Sequence, residues 1–130
     1  MLIREYAESD LDALKRIHAR QDFDYVFPNV ASPLFVSKIV LEDNAVPVMA
    51  SFARLTCEIY LLADPLAGKP RDRYLSMLTL HRVAADDLRA RGFEDAHAWL
   101  PPRIARRFGK RLEDLGWVRD DQWTPYSRLL

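Results

Sequence analysis

The chain contains a single cysteine, Cys57. No intrachain disulfide can form, so a reducing compartment, the cytoplasm, is the expectation. A charge bias is missing too. Lys+Arg and Asp+Glu stand at 19 each, which argues against a generally basic nucleic-acid surface. No apolar run approaches membrane length, and Arg4-Glu5 brings charge to the start at once, so neither a signal peptide nor a spanning helix is expected. Internal repeats and low-complexity stretches are absent. There is no Gly-x-Ser-x-Gly, no Walker loop and no dinucleotide fingerprint. The three histidines and Cys57 lack metal-like spacing, which predicts no metal site.

What is present is globular. Hydrophobic residues make up 49% and charged residues 29% of 130 positions, enough for one domain with an ordinary core. The organising stretch runs from Cys57 to Gly92. Residues 57–63 read as a short, aromatic-bearing strand ended by Asp64-Pro65. Gly68, Lys69 and Pro70 turn the chain, and Pro70 suits a first helical position, where its missing donor costs little. Tyr74, Met77, Leu78, His81, Ala84, Ala85 and Leu88 then share one helical face, and Gly92 is its stop. A strand feeding a helix through a turn can offer free backbone N–H groups to an anion.

In chain order, residues 1–6 predict a strand. Ser9 with Asp12 forms a weak capping box for a helix of about a dozen residues. Leu11, Leu14, Ile17 and His18 lie on one side of it, with Asp10, Asp12, Lys15, Arg16 and Arg20 on the other. Residues 21–33 form a loop rich in rings: Phe23, Tyr25 and Phe27, with Asp22 and Asp24 interleaved. Residues 35–42 and 46–55 predict two antiparallel strands joined at Asp43-Asn44, with Pro47 marking an edge or bulge. Residues 93–100 predict another strand, with Asp95, His97 and Trp99 on one side. Ile104, Phe108, Leu112 and Leu115 mark a further amphipathic helix stopped by Gly116. Trp117-Val118 and residues 126–130 could close a hairpin. The expected fold is a single α/β domain, residues 1–130, with a mixed, mostly antiparallel twisted sheet flanked by helices.

Three stretches carry a resemblance. IREYAESDLDALKRIHA, LADPLAGKPRDRYL and RRFGKRLEDLGW resemble, in order and spacing, the first strand and helix, the cofactor loop and the penultimate stretch of the GNAT superfamily of acyl-CoA N-acetyltransferases. The resemblance covers nearly the whole chain and implies a divergent member. It implies acetyl-CoA as cofactor, with its pyrophosphate at Gly68, Lys69, Arg71 and Arg73 and its pantetheine arm along Leu62 and Ala63. The acceptor would be a small-molecule or protein amine. The loop departs from the family form at Ala67, Pro70 and Asp72. Pro70 removes one N–H, and Asp72 brings negative charge towards a negative ligand. The family's thiolate-protonating tyrosine falls on Leu112.

Glu58 and His97 are the candidate general bases, each on a predicted strand near where the thioester would lie. Ordinary edge or ion-pair roles are the alternative for both. Asp22, Asp24 and Tyr25 are candidate acceptor-binding residues, since carboxylates among rings can receive a cationic amine. Alternatively, their rings pack while the aspartates face water. Arg103, Arg106, Arg107, Lys110 and Arg111 form a basic helix face open to two readings, nucleic-acid contact or plain solvation. Two functions follow as expectations: acetyl transfer to an amine, or a non-catalytic binding module of the same fold that has lost acetyl-CoA. A homodimer is compatible with either.

Overall fold

The computed structural model describes Met1–Leu130. The elements in order are β1 (Leu2–Glu5), a short 3-10 turn (Glu8–Asp10), α1 (Leu11–Gln21), β2 (Phe35–Asp43), β3 (Val46–Arg54), β4 (Cys57–Glu58), α2 (Pro70–Ala90), β5 (Ala96–His97) and α3 (Pro102–Asp114). The α/β class matches the expectation. The chain divides into two compact units, Met1–His97 and Ala98–Leu130.

In the first unit, β1, β2 and β3 form an antiparallel sheet in that spatial order. The register sets Arg4, Val40 and Ala50 in one cross-strand row and Ile3, Leu41 and Met49 in the next. Side chains alternate along a strand, so these rows occupy opposite faces. The first face is the core side: Val40 is 0% exposed, and Leu14, Val30 and Leu34 are buried with it. α1 packs against β3. Its half-buried or buried residues include Leu11, Leu14, Ile17 and His18, as the helical period predicts.

The hairpin turn falls one residue later than expected. Asn44 and Ala45 both have positive φ, 49° and 61°, the backbone of a tight turn that matches strand twist. Leu41 pairs with Met49 and Glu42 with Pro47, so Val48 is the extra residue of a bulge beside Pro47.

Asp10 corrects the charge pattern. It was expected on the solvent side of α1, yet it is 4% exposed. Arg4 donates to both of its oxygens, at 2.7 and 2.8 Å, and also to Glu42 at 2.7 Å. The Ala7 N–H adds a bond of 2.8 Å to Asp10. A carboxylate tolerates burial when a bidentate guanidinium and a backbone donor replace water. The Arg4 hydrogen bonds hold the Asp10 carboxyl well below its ordinary value, at about 2. The entry to α1 is therefore closed by Asp10 reaching back, and not by Ser9 with Asp12.

The two strands expected at 57–63 and 93–100 are far shorter. β4 and β5 pair in parallel over two residues each, Cys57 with Ala96 and Glu58 with His97. The Ile59 N–H donates to the His97 carbonyl at 2.8 Å, and then the segments part. Residues 60–70 are all exposed. A strand exists only while a neighbour accepts its hydrogen bonds, and divergence removes that neighbour.

α2 keeps its expected form. Pro70 occupies the first turn, and Lys69 before it is extended. The seven predicted face residues are half-buried, and His81 among them is partnered. Gly92, at φ 90°, ends the helix, with the Phe93 N–H returning to the Leu88 carbonyl at 3.1 Å.

In the second unit, α3 follows Pro101, with Pro102 in its first turn. Phe108, Leu112 and Leu115 are half-buried, while Arg103, Arg106, Arg107 and Lys110 are exposed. Gly116 stops it, and the Trp117 N–H reaches the Leu112 carbonyl at 3.1 Å. No strand follows, so the expected closing hairpin is absent. Tyr126 and Leu129 stand exposed, and burial gives no reward for ordering them as strand. No helix is long and apolar enough to cross a membrane.

Candidate functional site

The bend between β4 and α2 is built locally. The Leu66 N–H donates to the Asp64 side chain at 2.9 Å, and the Ala67 N–H to the Asp64 carbonyl at 3.3 Å. This is an aspartate-stabilised turn. Gly68 then takes φ 61°, where a side chain would strain the backbone. Arg73 reaches back from α2 and donates to the Ala67 and Gly68 carbonyls at 3.1 and 2.9 Å. Its guanidinium therefore staples the bend to the helix that follows.

A cleft of about 470 Å³ opens beside this staple. Leu61, Leu62, Ala63 and Asp64 form one wall, Ala67 and Gly68 the end, and Asp72, Arg73, Ser76, Met77 and Leu80 the other wall. The helix start carries no side-chain cap, and Pro70 has no N–H to offer. The Arg71 and Asp72 N–H groups are thus first-turn donors without an intrahelical acceptor, and the helix dipole favours negative charge there. Lys69 and Arg71 are exposed next to them. Asp72 supplies opposing charge in the same wall. Of the predicted cofactor residues, Leu62, Ala63, Gly68 and Arg73 line the cleft, and Lys69 and Arg71 do not.

Glu58 and His97 are brought side by side by the parallel register. Glu58, two residues earlier, pushes the Tyr60 hydroxyl up from its ordinary value. His97 Nε2 stands 3.8 Å from Asp95 Oδ2, beyond direct hydrogen-bond reach. Asp95 is itself held by Arg54 and, at 3.0 Å, by the Thr56 hydroxyl. Mainly the Arg54 contact keeps its carboxyl below the usual range. Neither Glu58 nor His97 lines the cleft. The sequence missed Arg54 and Thr56 as partners of Asp95, because that pairing depends on β4 and β5 meeting.

Asp22, at φ 54°, ends α1, and both Asp22 and Asp24 are exposed. Tyr25 stacks on Phe23 with ring centroids 5.3 Å apart and planes 18° from parallel. Both rings meet His18 edge-on, as does Phe27. His18 Nε2 is buried without a hydrogen-bond partner. These three candidate substrate residues also lie outside the cleft lining.

The cleft residues that the sequence pattern gives no site role are Leu61, Asp64, Ser76, Met77 and Leu80. A signal existed for the helical ones. Asp72, Ser76 and Leu80 recur at i, i+4, i+8, and Arg73 with Met77 runs beside them. That ridge adjoins the apolar stripe and turns the same N-terminal end towards the bend. No family model, curated protein or solved structure matches the chain.

Proposed function

We propose that the cleft binds the pyrophosphate and pantetheine of an acyl-CoA, and that the chain transfers an acetyl group from acetyl-CoA to an amine. The observation that carries this reading is the open cleft between Leu61–Ala63 and the start of α2, with a stapled bend at its end. The residues fit the group in kind. The Asp72 amide and the Arg73 cation in the cleft, with the exposed Lys69 and Arg71 next to them in sequence, suit a diphosphate, and Leu61, Leu62, Met77 and Leu80 suit an apolar arm. Bound there, the thioester supplies an activated acyl carbon. With the acyl-CoA bound, Glu58 or His97 would take the proton of the attacking amine, and the Tyr60 hydroxyl would protonate the departing coenzyme thiolate. Asp22, Asp24 and Tyr25 hold a cationic acceptor. The free thiol of Cys57 accords with a reducing, cytoplasmic setting.

A second reading, a cofactor-free binding module of the same fold, draws on specific departures. Leu112 has no proton to give, Asp72 stands in the anion wall, and Glu58 and His97 stand outside the cleft lining. Calorimetric titration with acetyl-CoA separates the two. The first reading expects saturable heat, and Asp72→Asn tightens binding about 3–10-fold by removing one like charge. Absence of binding at about 1 mM ends that reading. Binding without turnover of a panel of amines leaves a cofactor-binding protein that is not a transferase.

A further inference from the structure

The two edges of the three-stranded sheet are guarded unequally. β1 offers four residues and carries the exposed carboxylate of Glu5. β3 offers nine, and no charged side chain occurs from Val46 to Ala53. Its backbone bonds go to β2 alone. Native sheets protect an edge by shortness, charge, proline or a bulge. β3 has the last two only at its first residues, Pro47 and Val48. From Met49 to Ala53 a row of N–H and C=O groups lacks a partner strand, and Met49 is 65% exposed.

Another extended backbone matches such a row along its whole length. The outer sheet face adds a direction. Ile3, Leu41 and Met49 form an apolar row that runs up to this edge and stops there, with Ile3 68% exposed. We infer that the free edge of β3 pairs antiparallel with the same edge of a second copy of this chain, about a two-fold axis near Ala50. The dimer has one continuous six-stranded sheet, made of two copies of the three-stranded one.

Self-pairing suits this edge for three reasons. Each copy has the same unmet row, so one contact satisfies both. Pairing about Ala50 sets Arg54, the one charged residue of β3, opposite Val46 of the partner subunit, so no like charges meet. Pairing about Ala50 sets Met49 opposite Ser51 of the partner subunit on the outer face, so the two apolar rows approach across the axis. The inference is independent of the cofactor reading, since no β3 residue lines the cleft.

Sedimentation velocity on the full chain tests it. At about 100 μM, above the micromolar Kd of a modest interface, the expected mass is twice the 15.1 kDa of one chain. In the double variant Met49→Lys, Ser51→Lys, lysines face each other across the axis. The expected result is a monomer with an unchanged far-ultraviolet spectrum, because both side chains are exposed. Ser51→Lys alone raises the dimer Kd at least 10-fold and serves if the double variant does not fold. A monomeric wild-type chain overturns the inference, even if an added extended peptide is retained at the edge, since the edge then serves another partner. A charged variant that stays dimeric overturns it as well.

Discussion

The carboxylate of Asp10 accepts from the Nη1 and Nη2 groups of Arg4 and from the Ala7 N–H. Each bond does a separate task. The two from Arg4 tie the start of α1 to β1, and the one from Ala7 fixes the turn between them. Asp10→Asn keeps the shape but turns a donor towards one of these donors. The expected cost is about 1.5–3 kcal/mol, the usual range for a hydrogen bond to a charged group. Urea unfolding measures it as a lower midpoint with an unchanged slope. This residue also shows what a sequence pattern withholds. By helical period and polarity Asp10 belongs with Asp12 and Lys15 on the wet face. Its partners lie six residues earlier and, through Arg4, across the sheet at Glu42. Only strand register brings Arg4 and Glu42 together, and charge pattern carries no register.

Among the elements, those defined by their own residues were legible. α2 needs no neighbour to set its period, and its predicted face, N-terminal proline and glycine stop all stand where the residues placed them. β4 and β5 are shorter than their alternation predicts, because alternation records a tendency, while a strand also requires a partner along its length. The same limit hid the candidate site. The bend was readable from Asp64, Gly68 and Pro70, yet Arg73 as its staple was not. The β2–β3 hairpin gives a direct test of turn chemistry. Ala45 holds φ 61° in a two-residue turn, where a side chain crowds its own backbone. Ala45→Gly relieves that crowding and is expected to add about 0.5–1 kcal/mol, less what glycine loses in the unfolded chain. A raised thermal midpoint in scanning calorimetry is the result that fits. A lowered one means that the turn is not held in this conformation in solution.

For the whole molecule, the acid limb of stability follows from two depressed carboxylates. Asp10 titrates at about 2 in the folded chain, and Asp95 lies below its usual range. Unfolded aspartates titrate near 3.9, so the unfolded chain binds protons first as the pH falls. The stability that these groups contribute is fully present above about pH 4 and drains as the pH drops through about 2. Asp95 contributes the smaller part, because it and Arg54 are about a third exposed and water screens their pair. Added salt should therefore weaken the Asp95 share and leave the Asp10 share nearly intact. Urea midpoints taken between pH 2 and pH 6 in wild type and Asp10→Asn read this directly, where both chains fold. All samples need one protein concentration, since dimerisation through β3 would itself move the midpoint with concentration. The wild-type midpoint is expected to fall steeply below about pH 4, and the variant's to fall less. Parallel curves would mean that Asp10 titrates alike in folded and unfolded chains, and the Arg4 pairing could not then be what holds the first helix to the sheet.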